Sequence, residues 1–314
     1  MNGNRTRVGV CTDSSAQLPL HLIERYDIEV VPITVTVDEH EYLEGIDLDA
    51  DAFYEMFSHG RRPTVSTSQP SPGQFAVAYD ELIARGCTEI LSVHVSAAIS
   101  GTLNSARLAA HRLGVPVRLV DSGTASFGVG CCVWAAADAL GAGASLDEAA
   151  AVAERLAPSI GNVFIVGALD LVRGGGRGSG VDDGDGVPVL TLRNGEVEVV
   201  ERVATLVDAV NSMAAYTLSW TVESGSGDTL AGAVRAAGSE SSAVTLNVAI
   251  GTADCAAAPL SQALQDAIEA ASNIHEVVAY RVGPSVGAHT GPGTAGCFMF
   301  PAPTTPAQPS PTPS

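Results

Sequence analysis

Val8-Gly9-Val10-Cys11-Thr12-Asp13-Ser14-Ser15, followed by the segment Leu18 to Tyr26, points to the class of architecture. Val8 to Cys11 is a short apolar run that reads as a strand, Thr12 to Ser15 reads as a polar loop, and Leu18 to Tyr26 has helical periodicity. Strand, polar loop and helix in that order open a βαβ unit. The rhythm continues downstream. Ile28 to Val37 reads as a second strand and Ala50 to Ser58 as a helix with Phe53, Met56 and Phe57 on one face; Pro63 to Pro72 is a loop of Ser, Thr and Pro. Phe75 to Arg85 is helical, Glu89 to Val95 a strand, Ser96 to Thr102 a polar loop and Leu103 to Leu113 a helix. Val117 to Val120 is a further strand, and Cys131 to Leu140 and Leu146 to Leu156 are helical. Strands and helices alternating at this spacing predict an α/β protein with a mostly parallel sheet.

Near Ala157 to Asn162 the rhythm changes. Val163 to Ala168 reads as a strand, followed by Arg173-Gly174-Gly175-Gly176-Arg177 and a Gly/Asp-rich stretch to Gly186. Val187 to Leu192 and Val197 to Val200 flank Asn194-Gly195, a dipeptide that favours a type I′ hairpin turn. Helices are expected at Leu206 to Met213, Thr229 to Ala237 and Leu260 to Ala271, with strands at Val244 to Ile250, Glu276 to Val282 and Gly296 to Phe300. The chain of 314 residues suits two domains of about 150 residues each. The expected division is a first α/β domain over residues 1–158, a second over 159–301, and a disordered Pro/Thr/Ser tail over 302–314.

Composition removes several functions. The net charge of −19 sets up a field that repels nucleic acid and anionic membrane surfaces. All 16 basic residues are Arg, and without Lys there is no Schiff-base, pyridoxal-phosphate or P-loop lysine. The six cysteines form no C-x-x-C pair and read as buried free thiols; the histidines show no metal-ligand spacing, so no cofactor or metal is expected. The polar N-terminus lacks an apolar core of the signal-peptide kind, and no apolar run is long enough to cross a bilayer, which predicts a cytoplasmic protein.

Three hydroxyl-rich loops lie at the ends of expected strands: Thr12 to Ser15, Thr67-Ser68-Gln69-Pro70-Ser71, and Ser96 to Thr102. Open α/β sheets bind ligands beyond the carboxyl ends of their strands, and the Ser100-Gly101-Thr102 turn offers neutral donors to an anion. Taken singly, such residues serve as helix caps and turn formers. The segment Gly287-Ala288-His289-Thr290-Gly291-Pro292-Gly293 reads as a tight, fixed backbone holding one His, either a structural His or a ligand contact. Arg173 and Arg177 around three glycines lack the spacing of a dinucleotide or P-loop motif.

In order along nearly the whole chain, Thr12-Asp13-Ser14-Ser15, Thr67 to Ser71, Ser100-Gly101-Thr102, Asp121-Ser122, Arg173 to Arg177 and His289 to Gly293 together resemble the DegV family. The resemblance implies a two-domain α/β fold with a long-chain fatty acid held between or within the domains, and no chemistry of the protein's own. Carried over, it implies that Thr67, Ser68, Ser100 and His289 bind the lipid carboxylate, with Gly101 and Thr290 in the same ligand-binding set. In bacteria with an ATP-dependent fatty acid kinase, it implies a subunit that presents the acyl chain and retains the acyl-phosphate, docking through Arg173, Arg177 and Arg202. The sequence departs from the family where Gly178 to Gly186 runs into Val187-Pro188 and where the basic cluster is thinned to Arg202-Val203-Ala204. Two other readings stand beside this one. A serine hydrolase acting on acyl esters would use Ser100 or Ser68 with His289, although no G-x-S-x-G elbow is present. A phosphosugar-binding domain is the third.

Overall fold

The computed structural model describes residues 6–167, 184–193, 196–220 and 244–303. Val8–Asp13 (β1) runs through a 3-10 turn, Ser14–Ala16, into Leu20–Tyr26 (α1). The stretch expected as one strand from Ile28 to Val37 is two, Ile28–Val31 (β2) and Thr34–Val37 (β3). Pro32 lies between them; it has no N–H to give a ladder, and the chain leaves one sheet there for another. His40–Leu43 (β4) and the helix Ala50–Glu55 (α2) follow. The Ser/Thr/Pro segment expected as a loop contains a strand, Val65–Ser68 (β5), before Pro72–Ala84 (α3). Thr67 and Ser68 therefore sit on a strand. Glu89–His94 (β6), Thr102–Ala110 (α4), Val117–Asp121 (β7), Phe127–Gly141 (α5) and Leu146–Leu156 (α6) complete this part. Reciprocal capping boxes, Ser71 with Gln74 and Ser145 with Glu148, start α3 and α6.

The strands form a four-stranded sheet, β2-β1-β6-β7, and a three-stranded sheet, β4-β3-β5. Every pairing in the first is parallel and every pairing in the second antiparallel. In β1 and β6 apolar residues alternate between two cores. Val10, Leu91 and Val93 pack with α5 and α6, while Cys11 and Ile90 pack with α3 and α4. A parallel sheet covered on both faces is the doubly wound arrangement that near-continuous apolar strands predict.

The remaining strands are Gly161–Ile165 (β8), Val187–Arg193 (β9), Glu196–Val203 (β10), Leu246–Thr252 (β11), Ile274–Arg281 (β12) and Ala295–Pro301 (β13), with helices Leu206–Leu218 (α7), Ala258–Glu269 (α8) and Pro284–Thr290 (α9). They build a six-stranded mixed sheet, β10-β9-β8-β13-β11-β12, in which only β11 and β12 pair in parallel. Arg193 opposes Glu196, so a two-residue connection joins the β9–β10 hairpin; Asn194-Gly195 itself lies outside the described residues. The Gly-rich run with Arg173 and Arg177, the helix expected at Thr229 to Ala237 and the tail beyond residue 303 also lie outside them.

Helix α7 and helix α8 cover one face of the mixed sheet. Its other face packs on α5, where Phe127, Cys131 and Trp134 meet Ala249, Tyr280, Phe298 and Phe300. Phe127 stacks on Tyr280 at 4.4 Å between centroids, and Trp134 meets Phe300 edge-on at 5.2 Å. Ten of the fifteen residues of α5 are buried, as required of a helix lying between two sheets. Five of the six cysteines are buried as expected; Cys255 is exposed, in the polar turn that precedes α8.

Candidate functional site

A cavity of about 320 Å³ lies between the loops at the carboxyl ends of the parallel strands and the face of the mixed sheet turned toward α5. Thr67, Ser100, His289 and Thr290, four of the six expected ligand-binding residues, line it together. Thr67 comes from β5, Ser100 from the loop before α4, and His289 and Thr290 from α9. The Gly287 to Gly293 segment expected as a tight loop is thus helical as far as Thr290; the turn is left to Gly291 and Gly293, at φ +74° and +77°. Ser68 and Gly101 are not on the cavity wall. Side chains alternate along β5, so Thr67 and Ser68 face opposite ways and Ser68 is exposed. A Cβ on Gly101 would come within 2.7 Å of Gln69 Nε2, the end of an exposed side chain that reaches over from the Thr67 to Ser71 segment.

Three further serines line the same cavity: Ser15, Ser126 and Ser285. Ser15 is the last residue of the first polar loop, and its Oγ donates to Asp13 Oδ1. Asp13 is fully buried and also accepts from Ser15 N at 3.2 Å, His94 Nδ1 at 2.9 Å and Val95 N at 3.3 Å. His94 Nε2 in turn meets Ser92 Oγ at 2.7 Å, and Ser92 Oγ meets Tyr79 Oη at 2.9 Å. Ser126 is the N-cap of α5 with φ +55°, a left-handed backbone that non-glycine residues rarely adopt. The strain places its side chain at the cavity beside Tyr280. The Thr12 to Ser15 loop carried a signal for Ser15; nothing in the sequence marks Ser126 or Ser285.

The Ser100 hydroxyl lies 2.8 Å from Thr102 Oγ1 and accepts from Thr102 N at 3.3 Å. An oxygen already accepting from a backbone N–H keeps its own proton to donate, which suits an anion.

Apart from Thr294, the rest of the wall is apolar or aromatic. Tyr280, Gly251, Gly296 and Phe164 are successive cross-strand neighbours on β12, β11, β13 and β8. Further along, Leu192 and Val197 oppose each other on β9 and β10. All of these but Gly251 line the cavity. The row spans five strand spacings, about 24 Å at ~4.8 Å each. The two glycines at its centre make room for the neighbouring Tyr280 and Phe164 side chains. A Cβ on Gly251 would fall 2.5 Å from the Tyr280 ring, and one on Gly296 would fall 2.4 Å from Phe164 Cβ. Cys297 borders the cavity through its backbone, while its thiol points to the other face of the sheet, 3.0 Å from Thr217 Oγ1 on α7, and burial there pushes it up to about 12. It stays protonated at neutral pH and behaves as a small apolar group.

Among the described residues no group of three or more His, Cys, Asp or Glu side chains is placed to hold a metal ion, and no helix is long and apolar enough to cross a membrane. Arg202 Nη1 donates to Gly184 O at 2.8 Å.

The fold and cavity define an α/β protein in which a parallel and a mixed sheet enclose an elongated apolar trough bordered by hydroxyls and one imidazole. Residues 7–302 match the family model described as an uncharacterised protein, DegV family, and the chain belongs to that family. A DegV domain-containing protein of Streptomyces coelicolor is 33% identical over 297 residues, covering 93% of this chain and 98% of the relative. Among solved structures, one from Thermus thermophilus described as showing fatty acid binding of a DegV family protein superposes with a TM-score of 0.76 at 29% identity, over 95% of this chain and all of that one. DegV of Bacillus subtilis, described as a fatty acid binding protein, shares the fold with a TM-score of 0.74 at 22% identity, over 95% of this chain and all of that one.

Proposed function

We propose that this protein binds one long-chain fatty acid, its carboxylate among Thr67, Ser100, His289 and Thr290 and its acyl chain along the apolar trough lined by Gly296, Phe164, Leu192 and Val197. The observation that carries the proposal is the meeting of three segments far apart in sequence, at Thr67, Ser100 and His289, on one cavity whose wall is otherwise mostly apolar, with further hydroxyls at Ser15, Ser126, Ser285, Thr290 and Thr294. The relative from Thermus thermophilus, at 29% identity, supports it. Charge-assisted hydrogen bonds to a carboxylate contribute about 1.5–3 kcal/mol each, and each buried CH₂ about 0.8 kcal/mol. A long chain therefore supplies most of the affinity, and the polar group sets direction.

The protein acts as a carrier and not as a hydrolase. The buried chain Ser92–His94–Asp13 has the connectivity of a catalytic triad, yet none of its three members lines the cavity and all three are fully buried. Ser68, one of the two candidate nucleophiles, faces away. The trough is too apolar for a phosphosugar. Presentation of the acid to an ATP-dependent fatty acid kinase is the further step of this reading, with Arg173, Arg177 and Arg202 as its docking residues. Six free thiols accord with a reducing, cytoplasmic setting.

Native mass spectrometry of protein purified from a bacterial host tests the ligand. The expected result is a co-purified long-chain fatty acid; a phosphosugar in its place would end the proposal. Replacing Ser100 and His289 together by Ala is expected to weaken binding about tenfold or more, because charge-assisted bonds are lost while the trough remains. Unchanged affinity, read by displacement of a fluorescent fatty acid, would show that the carboxylate sits elsewhere.

A further inference from the structure

Glu44 is a carboxyl group buried behind the polar wall of the cavity, and the donors that reach it are neutral. Ser14 Oγ donates to Oε2, Ser285 N donates to Oε1 at 2.8 Å, and Gln17 Nε2 reaches Oε1 at 3.5 Å. Each donor belongs to a segment that shapes the cavity. Ser14 precedes the cavity residue Ser15, and its Oγ accepts at 2.9 Å from the backbone N–H of Ile33, another cavity residue. The backbone N–H of Glu44 donates to Ile33 O at 3.0 Å, closing that loop of bonds. Ser285 lies in the first turn of α9, the helix that carries His289 and Thr290. Gln17 ties the same turn a second time, accepting from Gly283 N and reaching Ser285 Oγ at 3.4 Å. Gly283 allows this approach, because a Cβ there would lie 2.6 Å from Glu44 Oε1.

A carboxylate desolvated without a cation costs stability, and an apolar residue of like size would avoid that cost. Burial also raises the pKa of Glu44, which marks the same penalty. What the carboxylate supplies is direction: its two oxygens join the Ser14–Gln17 turn to the first turn of α9, beside the bonds that Gln17 itself makes to Gly283 and Ser285.

We propose that Glu44 is a positioning residue that fixes α9, and with it His289, against the Ser14–Gln17 turn, and so sets the geometry of the polar end of the cavity. This rests on the reading of His289 as a contact of the lipid carboxylate. The side-chain resonances of the His289 ring and the affinity for cis-parinarate, a fluorescent fatty acid, test the two claims separately. In Glu44→Ala the His289 resonances are expected to shift and the affinity to fall about tenfold, the loss of one well-placed charge-assisted bond. Glu44→Gln, which keeps an acceptor for Ser285 N, is expected to return both toward wild type. The double variant E44A/H289A is expected to bind no more weakly than H289A alone, since the two residues act through one contact. Unmoved His289 resonances in E44A, or losses that simply multiply in the double variant, would overturn the proposal. If E44A fails to fold, Ser14→Ala removes one donor and is read by the same resonances, where no shift again counts against it. Should wild type itself not bind cis-parinarate, the fatty-acid reading falls, while the His289 resonances still decide the role of Glu44.

Discussion

Thr67 and Ser68 are neighbours in sequence and part in space, because the segment that carries them is a strand. Asp13 shows the reverse: a residue that reads as a loop former is buried to no exposure and gathers Ser15, His94 and Val95 around one carboxylate. Glu44 is the second buried carboxylate next to the cavity, and its behaviour with pH can be stated. Burial raises its pKa above the ordinary 4.5, so folding favours the neutral acid. The stability that preference contributes is present in full below the ordinary value and is lost as pH rises through the raised one. Glu44→Gln stays neutral throughout. Its melting temperature is expected to lie close to wild type in acid and to gain on it toward neutral pH, the other carboxylates cancelling in the comparison. A difference that stays flat across the titration would show that Glu44 is not held above its ordinary range.

Helix α5 is the element on which both sheets depend, and its small residues set how closely they approach. A Cβ on Gly130 would lie 2.6 Å from the carbonyl oxygen of Ala16, in the turn that carries Ser15. Helix propensity alone favours Ala over Gly by about 1 kcal/mol. Overpacking against fixed backbone costs about 1–3 kcal/mol, so the clash is expected to win. Gly130→Ala should melt below wild type in thermal denaturation, and a variant as stable as wild type would show that the Ala16 turn yields. Pro32 and α9 carry the same lesson about elements. The apolar run from Ile28 to Val37 fits a single long strand in every respect but its proline, and that proline moves the chain from the parallel sheet to the small antiparallel one. The resulting strand β3 then pairs with β5, which brings Thr67 to the cavity wall.

The molecule as a whole carries a net charge of −19, and a fatty acid anion approaching it meets a repulsive field before any local donor acts. Salt screens such fields over about 10 Å at ~0.1 M. The association rate of an anionic fluorescent fatty acid, measured by stopped flow, is therefore expected to rise with ionic strength, with the dissociation rate much less affected. An association rate that falls with added salt would mean that a local positive region steers the ligand.

The alternation of apolar runs with helical periods determined the α/β class, the parallel first sheet and most elements to within a few residues, because burial imposes its period on the chain directly. The hydroxyl loops and the late His were visible as chemistry-bearing segments, and likeness to the DegV family joined them. Only the tertiary structure decided which of their side chains face one cavity, since that depends on strand phase at Thr67, on a left-handed backbone at Ser126 and on the helix that carries His289. The trough was hidden for the same reason. Gly251 and Gly296 are ordinary glycines until the register of β11 against β13 sets them side by side, and such pairing is fixed by contacts distant in sequence.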